Sequence, residues 1–206
     1  MNPFFALERY ARPRSSEIER CELCAATISS EHPHVVELES RKMCCACTPC
    51  ATLFRDPGAG GGRYRTVPNR ILKEEGFSVA VERWESFSIP VRLAFVLRNA
   101  MLGRWVGVYP SPGGPTEVIL EGDPAELGDS PLFRLVEDDV EALLFYGRRG
   151  AAYLDCLLAP VDRCYELVGL VRQRYRGFDG DEGREAIEAF FRGLEARAQP
   201  VERGLS

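Results

Sequence analysis

Apolar and polar positions change rhythm along this chain, and the changes mark its elements. From residue 63 onward there are short runs rich in Val, Leu, Phe and Tyr, bounded by Gly, Pro or Asp. They predict strands over Arg63–Val67, Val91–Leu97, Trp105–Tyr109, Glu117–Leu120, Val140–Tyr146 and Tyr153–Leu158. Glu82–Phe87 reads as a short helix. The spacing then lengthens to three and four residues. Cys164, Leu167, Val168, Val171 and Tyr175 form one stripe of a helix from about Val161 to Arg176, with Asp162 as its expected N-cap. Ile187, Phe190, Phe191 and Leu194 form the stripe of a second helix, from about Glu182 to Ala198. Acidic residues open that second helix and Arg192 and Arg197 close it, as the helix dipole favours, and Glu188 and Arg192 add an i,i+4 pair. Strands first and helices last predict an α+β domain, with C-terminal helices packed on a mainly antiparallel sheet.

The segment before residue 63 is different. Residues 1–16 read as an arm with at most one helical turn. His34–Leu38 has strand character and Arg41–Cys44 is its expected antiparallel return. Asp56–Gly62, DPGAGGG, reads as a flexible joint; it lacks the Lys-Ser/Thr that would follow in a phosphate loop. The expected organisation is a metal module over residues 17–56 and an α+β domain over residues 63–200.

Composition narrows the class. The chain has 206 residues, 45% hydrophobic and 28% charged, which is globular and not disordered or coiled coil. It contains no apolar run of transmembrane length and no secretory pattern at its start, so a cytoplasmic protein is expected. Net charge is −5; residues 1–70 carry 10 basic and 8 acidic side chains, and residues 71–206 carry 16 and 23. An acidic larger part argues against a general nucleic-acid binder.

Six of the eight cysteines lie between positions 21 and 50. Cys21-Glu-Leu-Cys24 and Cys47-Thr-Pro-Cys50 are CxxC pairs 22 residues apart, close to the two-knuckle spacing of a zinc site. A CxxC turn aims two thiolates at one ion, and two turns on a hairpin complete a tetrahedron. Disulfides are disfavoured in a reducing cytosol. The expected ligands are therefore Cys21, Cys24, Cys47 and Cys50, with a small zinc-ribbon-like fold and zinc as the ion. Cys44, Cys45 and His34 are alternates: Cys44 and Cys47 also form a CxxC, and His34 can replace one cysteine in a site of three thiolates and one imidazole. The extra thiols can hold a second ion or form a reversible disulfide, or, for Cys44, simply fill space in the hairpin. Iron in a rubredoxin-like site is the alternative metal. Such knuckles usually place glycine after the second cysteine, whereas this chain has Ala25 and Ala51.

Elsewhere the residues read as structural. Cys156 and Cys164 are expected to be buried apolar cysteines. Asp138, Asp139 and Glu141 read as a solvated acidic cluster. The two histidines are His32 and His34, so no Ser-His or Cys-His catalytic pair is visible in the larger part, and the reading leans away from an enzyme.

The run CELCAATISSEHPHVVELESRKMCCACTPCATLF, followed by GGRYRTVP, IPVRLAF, YPSPGGPTE, DVEALL and VDRCYELVGLVRQRYRGF, resembles a mainly actinobacterial family without an assigned activity. The resemblance covers roughly Glu19 to Phe191. Members of that family are commonly encoded in gene clusters for high-affinity nickel-iron hydrogenases. The resemblance implies a metal-binding accessory, maturation or electron-transfer role, with a hydrogenase subunit or maturation factor as partner. It implies no catalytic residues.

Overall fold

The computed structural model describes residues 19–111, 113–174 and 181–202. The N-terminal arm and Tyr175 lie outside them. A hairpin opens the described fold, β1 (His34–Glu37) and β2 (Lys42–Cys45), and leads into a short helix, α1 (Thr48–Leu53). The chain continues through β3 (Tyr64–Thr66), β4 (Leu72–Lys73), β5 (Ser78–Ala80) and α2 (Val81–Glu85). The long strands follow: β6 (Leu93–Asn99), β7 (Arg104–Ser111) and β8 (Gly114–Ile119). After α3 (Leu132–Leu135) come β9 (Glu141–Tyr146), β10 (Tyr153–Pro160), α4 (Val161–Arg174), α5 (Asp181–Glu195) and β11 (Gln199–Pro200).

These strands form two sheets. The small one has the order β2-β1-β3 and is antiparallel throughout. The large one has the order β11-β4-β10-β9-β6-β7-β8, with β5 also paired to β10. All its pairings are antiparallel except β11 with β4. The α+β class expected from the patterning is what the chain adopts.

The central strands are covered on both faces, which is why they read as continuous apolar runs rather than as alternations. In β9, Ala142, Leu144 and Tyr146 face one core and Leu143 and Phe145 the other. On the first face lie α4 and α5, through Cys164, Leu167, Val168, Phe191 and Leu194; Tyr146 stacks on Phe191 with centroids 4.3 Å apart. On the second face, Trp84, Phe87, Leu127, Leu132 and Phe133 cover the sheet from short helices and loops. The Trp84 indole donates to the Val91 carbonyl, so its one polar group is satisfied. Cys156 and Cys164 are buried, as their apolar surroundings led one to expect.

Several local expectations change. Asp162 is not the N-cap of α4 but lies in its first turn; one carboxylate oxygen accepts from the Arg163 amide and the other meets His34. Glu141 is fully buried rather than solvated, because Arg70 clamps it through two bonds of 2.7 and 2.8 Å. Asp139 is held in a left-handed turn, where its carboxylate accepts from the Ala100 amide. Arg63–Val67 does supply a strand, but β3 pairs with β1, not with the large sheet. The glycine segment Asp56–Gly62 therefore runs between α1 and the third strand of the small sheet. It curls there with Gly60, Gly61 and Gly62 in the left-handed region, where any side chain would be strained.

The small sheet is seated on the large one. Val36 and Val67 enter the core beneath α4 and α5. Arg41 at the β1–β2 turn makes a bidentate pair with Glu117 of β8, at 2.9 and 2.8 Å. Arg65 of β3 reaches Glu137 and the Asp138 carbonyl.

Candidate metal centre

The two CxxC pairs are presented by different local structures. Cys21–Cys24 forms a knuckle: the Cys21 amide donates to the Ala26 carbonyl and the Ala25 amide to the Cys21 carbonyl, both at 2.8 Å. Ala25 takes φ +62°, the left-handed conformation that the turn demands. A non-glycine residue there is uncommon and costs energy, yet the turn is formed with its hydrogen bonds in place. The second pair is no knuckle. Cys47 is the N-cap of α1 and Cys50 lies three residues on, so the two side chains rise from one face of the first helical turn. Pro49, in the first turn, needs no amide partner there, which suits a helix start.

Glu22 binds the knuckle to the hairpin. Its amide donates to the Cys45 carbonyl, and its carboxylate accepts from the Cys45 amide at 2.7 Å and pairs with Lys42 at 2.7 Å. These contacts bring residues 21–24 and 47–50 together across the end of β2.

All four sulfurs, of Cys21, Cys24, Cys47 and Cys50, lie within 4.8 Å of one another, and Cys24 Sγ and Cys47 Sγ are 3.6 Å apart. Four thiolates at about 2.3 Å from a tetrahedral ion would be about 3.8 Å apart. None of the eight cysteines is disulfide-bonded. The thiol chemistry fits the same arrangement. Burial works against ionising Cys21, but the amides of Cys47, Leu23 and Cys24 outweigh it and draw that thiol down to about 6. Its hydrogen-bonded partner Cys47, with burial, pushes the Cys50 thiol up to about 12. The Cys21 thiolate is favoured, while the Cys24 and Cys50 thiols are shifted the other way. A divalent cation at the centre of the four sulfurs favours the thiolate form of each. The donor set fits a soft or borderline ion such as zinc or iron.

The alternates separate from this cluster. Cys44 lies opposite Val35 on the buried side of the hairpin and belongs to no group of metal-type side chains. His34 does not join the four sulfurs. Cys45 lies directly opposite it across the hairpin, and with His32 these two form a second group whose ligand atoms also lie within 4.8 Å of one another. His32 Nδ1 is 2.8 Å from the Ser29 carbonyl, and His34 Nδ1 is 3.0 Å from Asp162 Oδ2. Both partners are acceptors, so Nδ1 is the donor in each contact, and in the neutral form of such a ring the lone pair is at Nε2. His32 Nε2 is buried and has no hydrogen-bond partner among the described residues. An unmet polar atom of that kind costs about 1–3 kcal/mol. The signal in the sequence was the His-Pro-His run on the strand that pairs with Cys44-Cys45; its use needed the strand register.

The fold and this site define a class: an α+β protein with a small cysteine-rich sheet whose Cys and His side chains are grouped as metal ligands are. The chain belongs to DUF5947, a family of unknown function whose model matches residues 20–198. No curated protein and no solved structure matches it. Among the described residues, no helix is long and apolar enough to cross a membrane.

Proposed function

We propose that this protein is a metal-binding accessory factor in which zinc, held by Cys21, Cys24, Cys47 and Cys50, fixes the small sheet as a docking module for the assembly or maturation of a nickel-iron hydrogenase. The observation that supports the metal is the convergence of four sulfurs from two separate CxxC segments. The hydrogenase role rests on the family resemblance in the sequence. The partner is then a hydrogenase subunit or maturation factor, met in the cytoplasm, and the protein itself performs no chemistry on a substrate. The zinc neutralises thiolate charge, and the residues of the chain do the rest: Glu22 ties the knuckle to β2, and Arg41 and Arg65 hold the module on the large sheet.

Elemental analysis of protein purified without oxygen tests the metal. Zinc that is lost on Cys24→Ser is expected. Tagged protein drawn from cells expressing the hydrogenase should carry a hydrogenase subunit or maturation factor. Unchanged hydrogenase activity and subunit processing after deletion would refute the role.

A rubredoxin-like iron centre for electron transfer is the second reading. Ala25 does not count against it, since the first knuckle forms without glycine, whereas the second pair, at the start of α1, is not a knuckle. A red protein with thiolate-to-iron absorption and a reversible redox wave would select it over zinc.

A further inference from the structure

We propose that His32, His34 and Cys45 form a second metal site, distinct from the four-cysteine cluster, for a divalent transition ion of the zinc class. Three observations carry it. The ligand atoms of the three side chains lie within 4.8 Å of one another. Both imidazoles are oriented through Nδ1, by the Ser29 carbonyl and by Asp162, which leaves Nε2 of each free to bind. His32, with a side chain only 8% exposed, has a buried Nε2 without a hydrogen-bond partner among the described residues.

The arrangement follows how metal-binding histidines are commonly held: one ring nitrogen on the ion, the other donating to a carbonyl or carboxylate that fixes the ring. Asp162 performs that positioning role from α4, so the site joins the small sheet to the large domain. Glu19 lies 3.5 Å from His32 Nδ1, the nitrogen that meets the Ser29 carbonyl. The hairpin register sets the third ligand, since Cys45 is the cross-strand partner of His34. The Ala46 amide donates to the Pro33 carbonyl at 2.9 Å and pins the loop that carries both histidines.

Two imidazoles and a thiolate suit zinc, cobalt, nickel or copper rather than calcium or magnesium. Binding releases the Cys45 proton to solvent. Three protein ligands leave one position of a tetrahedron for water or an incoming ligand. That open position separates this site from the closed four-cysteine centre and suits an exchangeable ion. The inference goes beyond the proposed function and does not require it.

The test is a titration of the full chain, reduced and without oxygen, with cobalt as the probe. Two equivalents are expected. His32→Ala with His34→Ala should bring the uptake from two to one, and Cys45→Ser should remove the part of the thiolate-to-cobalt absorption that the second equivalent adds. Far-ultraviolet circular dichroism and retention of the first equivalent report on folding of the variants. Imidazole nitrogen NMR of the unaltered chain needs no variant: zinc should shift Nε2 of both histidines and leave the Nδ1 protons in place. Uptake that stops at one Cys24-dependent equivalent, or Nε2 signals that zinc does not move, would overturn the proposal. Uptake of one equivalent that depends on His32 and not on Cys24 would support this site and contradict the four-cysteine centre.

Discussion

The two sheets of this molecule are stabilised in different ways. The large sheet buries apolar side chains on both faces: β9 and β10 are sandwiched between α4 and α5 on one side and the Trp84, Leu132 and Phe133 layer on the other. The small sheet has a core of its own made from Cys21, Val35, Ala46 and Ala51, with Leu23, Ile28, Phe54 and Tyr64 partly buried around it. So little apolar volume does not usually hold a sheet, and small units of this kind tend to rely on metals or cross-links. Burial alone serves where two faces can be covered. Where they cannot, the chain concentrates its thiols and histidines.

On the proposed zinc site, the largest expected effect comes from removing the ion. Structural zinc contributes about 10–16 kcal/mol of apparent binding energy in small zinc-dependent folds. Chelation should therefore abolish amide-exchange protection in β1, β2 and α1 while β9 and β10 keep theirs. Uniform loss, or none, would erase the contrast between the sheets.

Arg70→Ala works on the other region. It leaves the buried Glu141 without its cation; because Arg70 is itself partly exposed, the cost falls below the about 3–5 kcal/mol of breaking a fully buried pair from one side. Thermal unfolding should move down, with metal content unchanged. Leu144→Ala removes a fully buried side chain from the centre of the large sheet and should cost about 2–5 kcal/mol, again with no loss of metal. A drop in bound metal for either variant would mean that the two regions do not fold with separate supports.

Arg41→Ala gives the smallest effect. The Arg41–Glu117 pair joins the regions at a partly exposed site, and such pairs contribute under about 1 kcal/mol. Denaturant unfolding should show a minor change, and the four-cysteine cluster should still take up its ion. A large change would make the seat of the small sheet, rather than the ion, its main support.

Much of this was legible in the sequence because it is local. The CxxC pairs, the β1–β2 hairpin, the apolar runs of β9 and β10 and the three- and four-residue stripes of α4 and α5 each reside in a few consecutive residues. What escaped depends on contacts between distant segments. Nothing near Tyr64–Thr66 says that this strand pairs with β1. Glu141 reads as solvated among its acidic neighbours until Arg70, 71 residues earlier, is brought onto it. His34 reads as a substitute for a cysteine; the hairpin register instead turns it toward Cys45, and α4 supplies Asp162 from 128 residues away. One local signal was there to be read: Thr48-Pro49 starts a helix, which puts the second CxxC on α1 rather than in a second knuckle.

The most direct measurement is X-ray absorption at the metal edge of the full chain carrying one equivalent of zinc. Four sulfur neighbours at about 2.3 Å are expected, falling to three in Cys24→Ser. A first shell dominated by nitrogen and oxygen, or a sulfur count that the Cys24 substitution does not change, would contradict the four-cysteine centre.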